Sequence, residues 1–281
     1  MALQEKAMLV NLTVRMWSAR KRDRKVSKEV EKNHQANDAG NFNKLLIDKA
    51  ALAKLVTLSG TLRTTHYDMT LPWTDDGARL LPSKMYFDYT KKMRELRDQF
   101  NTAIMEFCQN YPAYKQDARK KLGTMYDPAD YPDVSSIKMK FGAELSVMPV
   151  PEAKDFRVDL GDDEVKEIRK DIETQIIKQQ ERAINNLWLR LREVVERMHE
   201  RLSDPENTFR DSLVENAQFA CAIAEKLNIH DDKALEDIRK DIEYRLCRVL
   251  PQRLREDKVL RKSVSDAAYD ILQKFPAIES E

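Results

Sequence analysis

The stretch DDEVKEIRKDIETQIIKQQERAINNLWLRLREVVERMHERL, residues 162–202, decides how this chain folds. Along it Val165, Ile168, Ile172, Ile176, Gln180, Ala183, Leu187, Leu191, Val194, Met198 and Leu202 recur three or four apart, with no proline or glycine between them. A helix of 3.6 residues per turn gathers such positions onto one face. Gly161 supplies a turn residue and Asp162 a capping carboxylate, while Asp163 and Glu164 suit the positive end of a helix dipole. Ser203-Asp204-Pro205 ends the pattern. The prediction is one helix from about Asp162 to about Leu202, roughly 60 Å long at a rise of 1.5 Å per residue. Its stripe follows the 3.6 period rather than a strict heptad and is interrupted by Gln180, which favours a bundle over a two-stranded coiled coil. A helix of that length exceeds the diameter of a compact domain. Ile172, Ile176, Ala183, Leu187, Leu191 and Met198 are therefore the expected interaction face, met either by this chain or by another subunit.

Working outward toward the C-terminus, helices are predicted at 207–227, 231–250 and 254–275, with Asp231 or Asp232 capping the second and Pro251 separating the last two. Toward the N-terminus, Met8, Val10, Leu12, Val14 and Met16 alternate with Asn11, Thr13 and Arg15, a strand signal. A charged stretch, 19–35, carries a short helix from Ser27, and 37–43 reads as loop. Leu52, Leu55, Val56, Leu58 and Leu62 predict a helix over 48–67 with Asp48 as N-cap. The prolines and glycine of 70–82 make that segment a predicted loop. Tyr86, Tyr89, Met93, Leu96, Phe100, Ile104 and Phe107 predict a helix over 83–110, ended by Tyr111-Pro112 and followed by a shorter one to Leu122. Alternation at Phe141, Ala143, Leu145 and Val147, and again at Phe156, Val158 and Leu160, predicts two more strands joined through Pro149-Val150-Pro151.

The fold class that results is mostly α: a helical bundle around a central helix of about 40 residues, with a small β-sheet of about three strands in an N-terminal α+β region. The domain boundary is expected at 160, giving 1–160 and 161–281. With only six glycines, composition also favours helix. No apolar run approaches a membrane span and the N-terminus lacks the pattern of a signal peptide, so a cytoplasmic protein is expected. Cys108, Cys221 and Cys247, odd in number and set among apolar residues, read as buried free thiols.

Chemical motifs are scarce. The glycines lie too far apart for a dinucleotide fingerprint or a phosphate-binding loop, so no nucleotide cofactor is expected. Glu31/His34 and Glu196/His199 repeat the Glu-x-x-His spacing of di-iron bundles, but no apolar cage surrounds either, and both read as surface pairs without metal. His66 and His230 sit where helices end, as ordinary histidines do. Asp75-Asp76 and Asp231-Asp232 have the composition of a metal-dependent nuclease pair, yet turns and caps account for both. No catalytic residue is assigned, and the chain is expected not to be an enzyme.

Two basic segments remain. Arg15, Arg20, Lys21, Arg22, Arg24, Lys25 and Lys28 face a single acid, Asp23, with Trp17 beside them, a set suited to phosphates with the indole stacking on a base. Arg245, Arg248, Arg253, Arg255, Lys258, Arg261 and Lys262 form the second. The formal net charge is +1, so nucleic-acid binding would rest on these local patches, and a solvated face paired with acids is the competing reading.

Four segments together resemble an uncharacterised family, known as a domain of unknown function, from phages and mobile elements. They are Thr70-Leu-Pro-Trp73 with Leu81-Pro82, Tyr131-Pro132 leading to Phe141, Val150-Pro151 with Asp155-Phe156-Arg157-Val158, and Phe209 to Asn216 before Leu227-Asn228-Ile229. Members of that family are encoded beside a MoxR-type AAA+ ATPase and a von Willebrand factor A protein. The long helix, the lack of catalytic motifs and this resemblance together lead to the expectation of a non-enzymatic assembly or adaptor protein, a homo-oligomer working with that ATPase in the bacterial host. The alternative is a nucleic-acid-binding accessory protein using the basic segments.

Overall fold

The computed structural model describes residues 3–75, 77–158 and 161–277. In chain order the elements are α1 (Leu3–Lys6), β1 (Ala7–Arg15), β2 (Arg20–Arg22), α2 (Arg24–Asn33), β3 (Asn43–Leu45), α3 (Lys49–Asp68), β4 (Leu71–Pro72), β5 (Arg79–Pro82), α4 (Tyr86–Leu122), α5 (Val134–Met139), β6 (Gly142–Pro149), α6 (Asp162–Ser203), α7 (Ser212–Leu227), α8 (Lys233–Arg245), α9 (Pro251–Glu256) and α10 (Lys258–Leu272). Helix dominates, α6 is the long central helix, and a small antiparallel sheet occupies the N-terminal region, as the sequence predicts.

The chain forms two compact units that are not successive segments. One holds the chain through Asn11, His66–Tyr89 and everything from Ser146; the other holds Leu12–Thr65 and Thr90–Leu145. The sequence reading places its single division at 160 instead. In the first unit α6 packs on α10 and α7, α7 on α8, and α10 on α8 and α9. Ala183, Leu187, Trp188, Leu191, Val195, Met198 and Leu202 are the buried residues of α6. Val194, assigned to the stripe by spacing, is only half-buried, and Trp188 and Val195 take the inward positions. Val214, Ala217, Ala224 and Leu227 of α7, Leu235 and Ile242 of α8, and Val264, Ala268 and Ile271 of α10 complete this core. Full burial of one such aliphatic side chain is worth about 1.5–3 kcal/mol.

Several elements differ from the sequence reading. The strand paired with β1 is β5, from the predicted loop, with Ala7 opposite Pro82 and Val10 opposite Arg79. β4 pairs with β5 in turn, Pro72 opposite Arg79, and the sheet order is β4-β5-β1-β6. Pro72 lies on an edge strand and Pro82 at a strand end, where a missing N–H costs the ladder little. The predicted strand at Phe156 does not form: Ala153–Asp155 is a 3-10 turn, closed when Asp155 accepts from the Glu152 N–H, and 156–158 are irregular. Leu160, the end of that prediction, lies outside the described residues.

α4 runs through Pro112 without a break. Proline inside a helix costs about 3 kcal/mol, but the flanking Phe107, Tyr111 and Ala118 are buried and hold the helix past it. α2 begins three residues earlier than predicted because Asp23 accepts from the N–H groups of Lys25 and Val26. α5, not predicted, is capped by Asp133, which accepts from Ser136 N at 2.8 Å. Asp48 does cap α3, accepting from Ala50 N at 3.0 Å. The last predicted helix is two, α9 and α10, because Asp257 ends one and accepts from Val259 and Leu260 N–H to start the next. α8 stops at Arg245 rather than 250.

α7 starts at Ser212 rather than 207 because Arg261 of α10 holds the connecting loop. Its guanidinium donates to the carbonyls of Arg201 at 2.8 Å, Leu202 at 3.4 Å, Asp204 at 2.6 Å, Pro205 at 3.1 Å and Asn207 at 2.7 Å. These include the last carbonyls of α6, which have no partner within the helix. Arg261 is 6% exposed and stacks on Phe209 at 5.3 Å.

Candidate functional site

The expected interaction face divides sharply along α6. Ala183, Leu187, Leu191 and Met198 are buried within their own unit. Ile172 and Ile176 are not: they are half-buried, as are Val165 and Ile168, and Ile177 is 55% exposed. No residue of α6 before Ala183 is buried. The first half of the helix, 162–182, thus carries an aliphatic stripe about 30 Å long that its own chain covers only in part. Its flanks are charged; Lys166 pairs with Asp163 at 3.2 Å, and Arg169 donates to the Phe156 carbonyl at 3.1 Å.

The N-terminal basic segment occupies the second unit, on β2 and α2. β2 pairs with β3 in a two-stranded ribbon and all three of its residues are exposed. Lys21 pairs with Asp130 at 2.6 Å, and buried Lys44 pairs with the same carboxylate at 2.6 Å. Burial opposes the charge of Asp130, but hydrogen bonds from the two lysines outweigh it and hold the carboxyl below its usual range. Arg15 pairs with Glu144 at 2.7 Å. Trp17 is a correction to the sequence reading: it is 9% exposed and packs edge-on against Phe107 and Tyr111, with centroids 6.4 and 6.0 Å away. The indole is a core group, not a platform for a base. Arg20, Arg22, Arg24, Lys25 and Lys28 are exposed and have no ion pair among the described residues.

The C-terminal basic segment is largely committed to structure. Arg245 pairs with Asp270 at 3.0 Å, Lys258 with Glu206 at 3.7 Å, and Arg255 with Asp211. Arg248 lies over Tyr244, and Arg261 is the loop clamp described above. Arg253 and Lys262 carry no ion pair among the described residues.

The remaining candidates resolve into structural groups. Glu196 pairs with Arg192 at 2.7 Å, and Nδ1 of His199 lies 3.1 Å from the Ser265 carbonyl. Among the described residues no group of three His, Cys, Asp or Glu side chains is placed to hold a metal. Asp75 pairs with Arg182 at 2.6 Å, and Asp76 lies outside the described residues. Asp231 takes Lys6 at 3.0 Å, while Asp232 caps α8 through the N–H groups of Ala234 and Leu235. His230 is pushed down by burial and by Lys6.

His66 is buried, and its Nδ1 lies 2.7 Å from the Tyr89 hydroxyl. Burial, reinforced by the Arg79 charge, pushes it down to about 4. Around it the end of α3 is capped by two arginines. Arg79 donates to the Thr70 hydroxyl at 2.6 Å, and Arg190 donates to the carbonyls of Tyr67, Asp68 and Thr70 at 2.9, 2.9 and 2.8 Å. This network was invisible in sequence, since neither arginine is near His66 in the chain. Cys221 and Cys247 are buried free thiols, as expected, whereas Cys108 is half-buried. The hydrogen bond Cys221 shares with Cys247, together with burial, pushes its thiol up.

No helix among the described residues is long and apolar enough to cross a membrane. No protein-family model, no curated protein and no solved structure matches this chain.

Proposed function

We propose that this chain is a non-enzymatic helical assembly or adaptor protein of a phage or mobile element, self-associating and acting with a MoxR-type AAA+ ATPase in the cytoplasm of a bacterial host. The observation that carries self-association is the aliphatic stripe on residues 162–182 of α6, aligned and only half-buried. Interface cores are built from such apolar surface with charge at the rim, and the acids and lysines flanking this stripe fit that plan. The ATPase, and with it a von Willebrand factor A protein, rests on the resemblance of the Thr70–Pro82, Tyr131–Phe141, Val150–Val158 and Phe209–Ile229 segments. Light scattering on the purified chain, followed by pull-down with the ATPase encoded beside it, tests the reading. A concentration-dependent oligomer that retains the ATPase is expected; a strict monomer that ignores it defeats the proposal.

A second reading, a nucleic-acid-binding accessory protein, is favoured by one observation: Arg20, Arg22, Arg24, Lys25 and Lys28 on β2 and α2 are exposed and have no ion pair among the described residues. Gel shift at low salt, repeated with Arg20, Arg22 and Arg24 changed to Ala, is the test. The absence of any shift at low salt ends this alternative.

A further inference from the structure

One cleft in the bundle gathers cations that no ion pair among the described residues neutralises. It measures about 420 Å³ and lies at the C-terminal end of α6, lined by Arg197 and Arg201 of that helix, Thr208 and Arg210 of the loop, and Ser212 and Asn216 of α7. Among the described residues no ion pair or hydrogen bond engages any of the three guanidiniums. Several other arginines of the same unit are engaged. Arg190, Arg239, Arg255 and Arg261 all place their donors on carbonyls or carboxylates. Of the acids adjacent to them in sequence, Glu196 is held by Arg192 and Asp211 by Arg255, and Glu200 forms no ion pair with them among the described residues. The hydroxyls of Thr208 and Ser212 and the amide of Asn216 likewise donate to no group among the described residues.

The walls of the cleft are fixed. Arg261 pins the carbonyls from Arg201 to Asn207, and Arg255 donates to the Phe209 carbonyl at 3.3 Å. The fold therefore holds three like charges around one concavity, an arrangement that repels itself until an anion enters. Planar guanidiniums offer paired N–H donors that match the oxygens of phosphate, and hydroxyl and amide donors fill the remaining lone pairs. The 16 residues of α7 direct the positive end of their dipole to the same side. The size falls within the range of small-ligand sites.

We propose that this cleft binds clustered phosphate oxyanions, supplied either by the polyphosphate of a nucleotide or by adjacent phosphodiesters of a nucleic-acid strand. The site is distinct from the half-buried stripe of α6 and from the cations of β2 and α2.

The test is calorimetric titration of the full chain with pyrophosphate, with ATP and with single-stranded oligo-dT, beside a variant carrying Arg197→Gln, Arg201→Gln and Arg210→Gln. Binding at least tenfold weaker in the variant is expected. Pyrophosphate at ten times its Kd should raise the Tm of the parent by about 2–5 °C and leave the variant unmoved. Without ligand the variant should melt no earlier than the parent, because like-charge repulsion has been removed. Binding of pyrophosphate and ATP assigns the site to nucleotides; binding of oligo-dT alone, with a log–log salt slope near roughly −2 for three contacts, assigns it to a strand. Since the ribbon cations would also attract a strand under the second reading, that arm is read as the difference between parent and variant. Equal binding by both proteins, or none by either, overturns the proposal. Should the triple variant melt early, Arg210→Gln alone, which leaves the Arg261 clamp intact, carries the comparison.

Discussion

The two halves of α6 are written in the same alphabet and have different fates. From Ala183 onward the stripe meets α7 and α10 and seven side chains are buried. From Asp162 to Arg182 the stripe is just as regular, yet it contributes no buried side chain. Periodicity reports that a helix has an apolar face; what covers the face depends on which other elements reach it. Here α7 and α10 are both shorter than α6, at 16 and 15 residues against 42. A helix of that length spans only about 25 Å.

The comparison is best broken at its buried end. Leu191→Ala removes a side chain of α6 with no exposure, and should destabilise the protein by about 3–5 kcal/mol in urea unfolding. A loss below about 1 kcal/mol would mean the second half is no better covered than the first.

A smaller effect should come from pH, acting through His66 beneath the arginine caps. Its folded pKa lies near 4 against an ordinary 6.5, so the unfolded chain binds the proton first as pH falls. Stability from this group is complete above about pH 6.5 and is lost progressively toward pH 4, by up to about 3 kcal/mol. Unfolding midpoints measured across that window should slope in the parent and flatten in His66→Gln.

The smallest change in intrinsic stability belongs to the partly covered half. Replacing Ile172 and Ile176 with Ser should alter unfolding of the dilute chain by under about 1 kcal/mol, because both already meet solvent. The same variant should abolish concentration-dependent light scattering. A protein that unfolds readily on this replacement while its scattering is unchanged would place the stripe inside the monomer's own stability.

The long helix, its ends and the helical class were legible because they depend on local chemistry: a period, acids in the first turn, a terminating proline; only the capping carboxylate expected at Asp162 is not there, since the N-cap is Gly161 with no side-chain bond. The Asp48 and Asp232 caps were legible for the same reason. The β4–β5 hairpin was not, since two prolines spoke for a loop and only pairing with β1 makes an edge position tolerable for Pro72. Pro112 misled in the same way, its cost being met by burial of residues on both sides. Asp257, just ahead of Val259 and Leu260, was a readable signal for the start of α10. Among the basic residues, sequence counted charges but not partners. Seven cations between 245 and 262 looked like one patch, and most proved to be engaged, while the uncompensated trio of Arg197, Arg201 and Arg210 draws on a helix and a loop and forms no run at all.

The clamp at Arg261 has a consequence for how this sequence tolerates change. Five carbonyls in a seven-residue span turn toward one guanidinium. Lysine has three donors on a single nitrogen and cannot reach them together. Exposed neighbours such as Lys258 and Lys262 are free to exchange with arginine, glutamine or each other over generations. Position 261 is not: any descendant that keeps this loop keeps an arginine there, and in an alignment of such descendants that column identifies the turn between α6 and α7 even where the loop residues themselves have drifted.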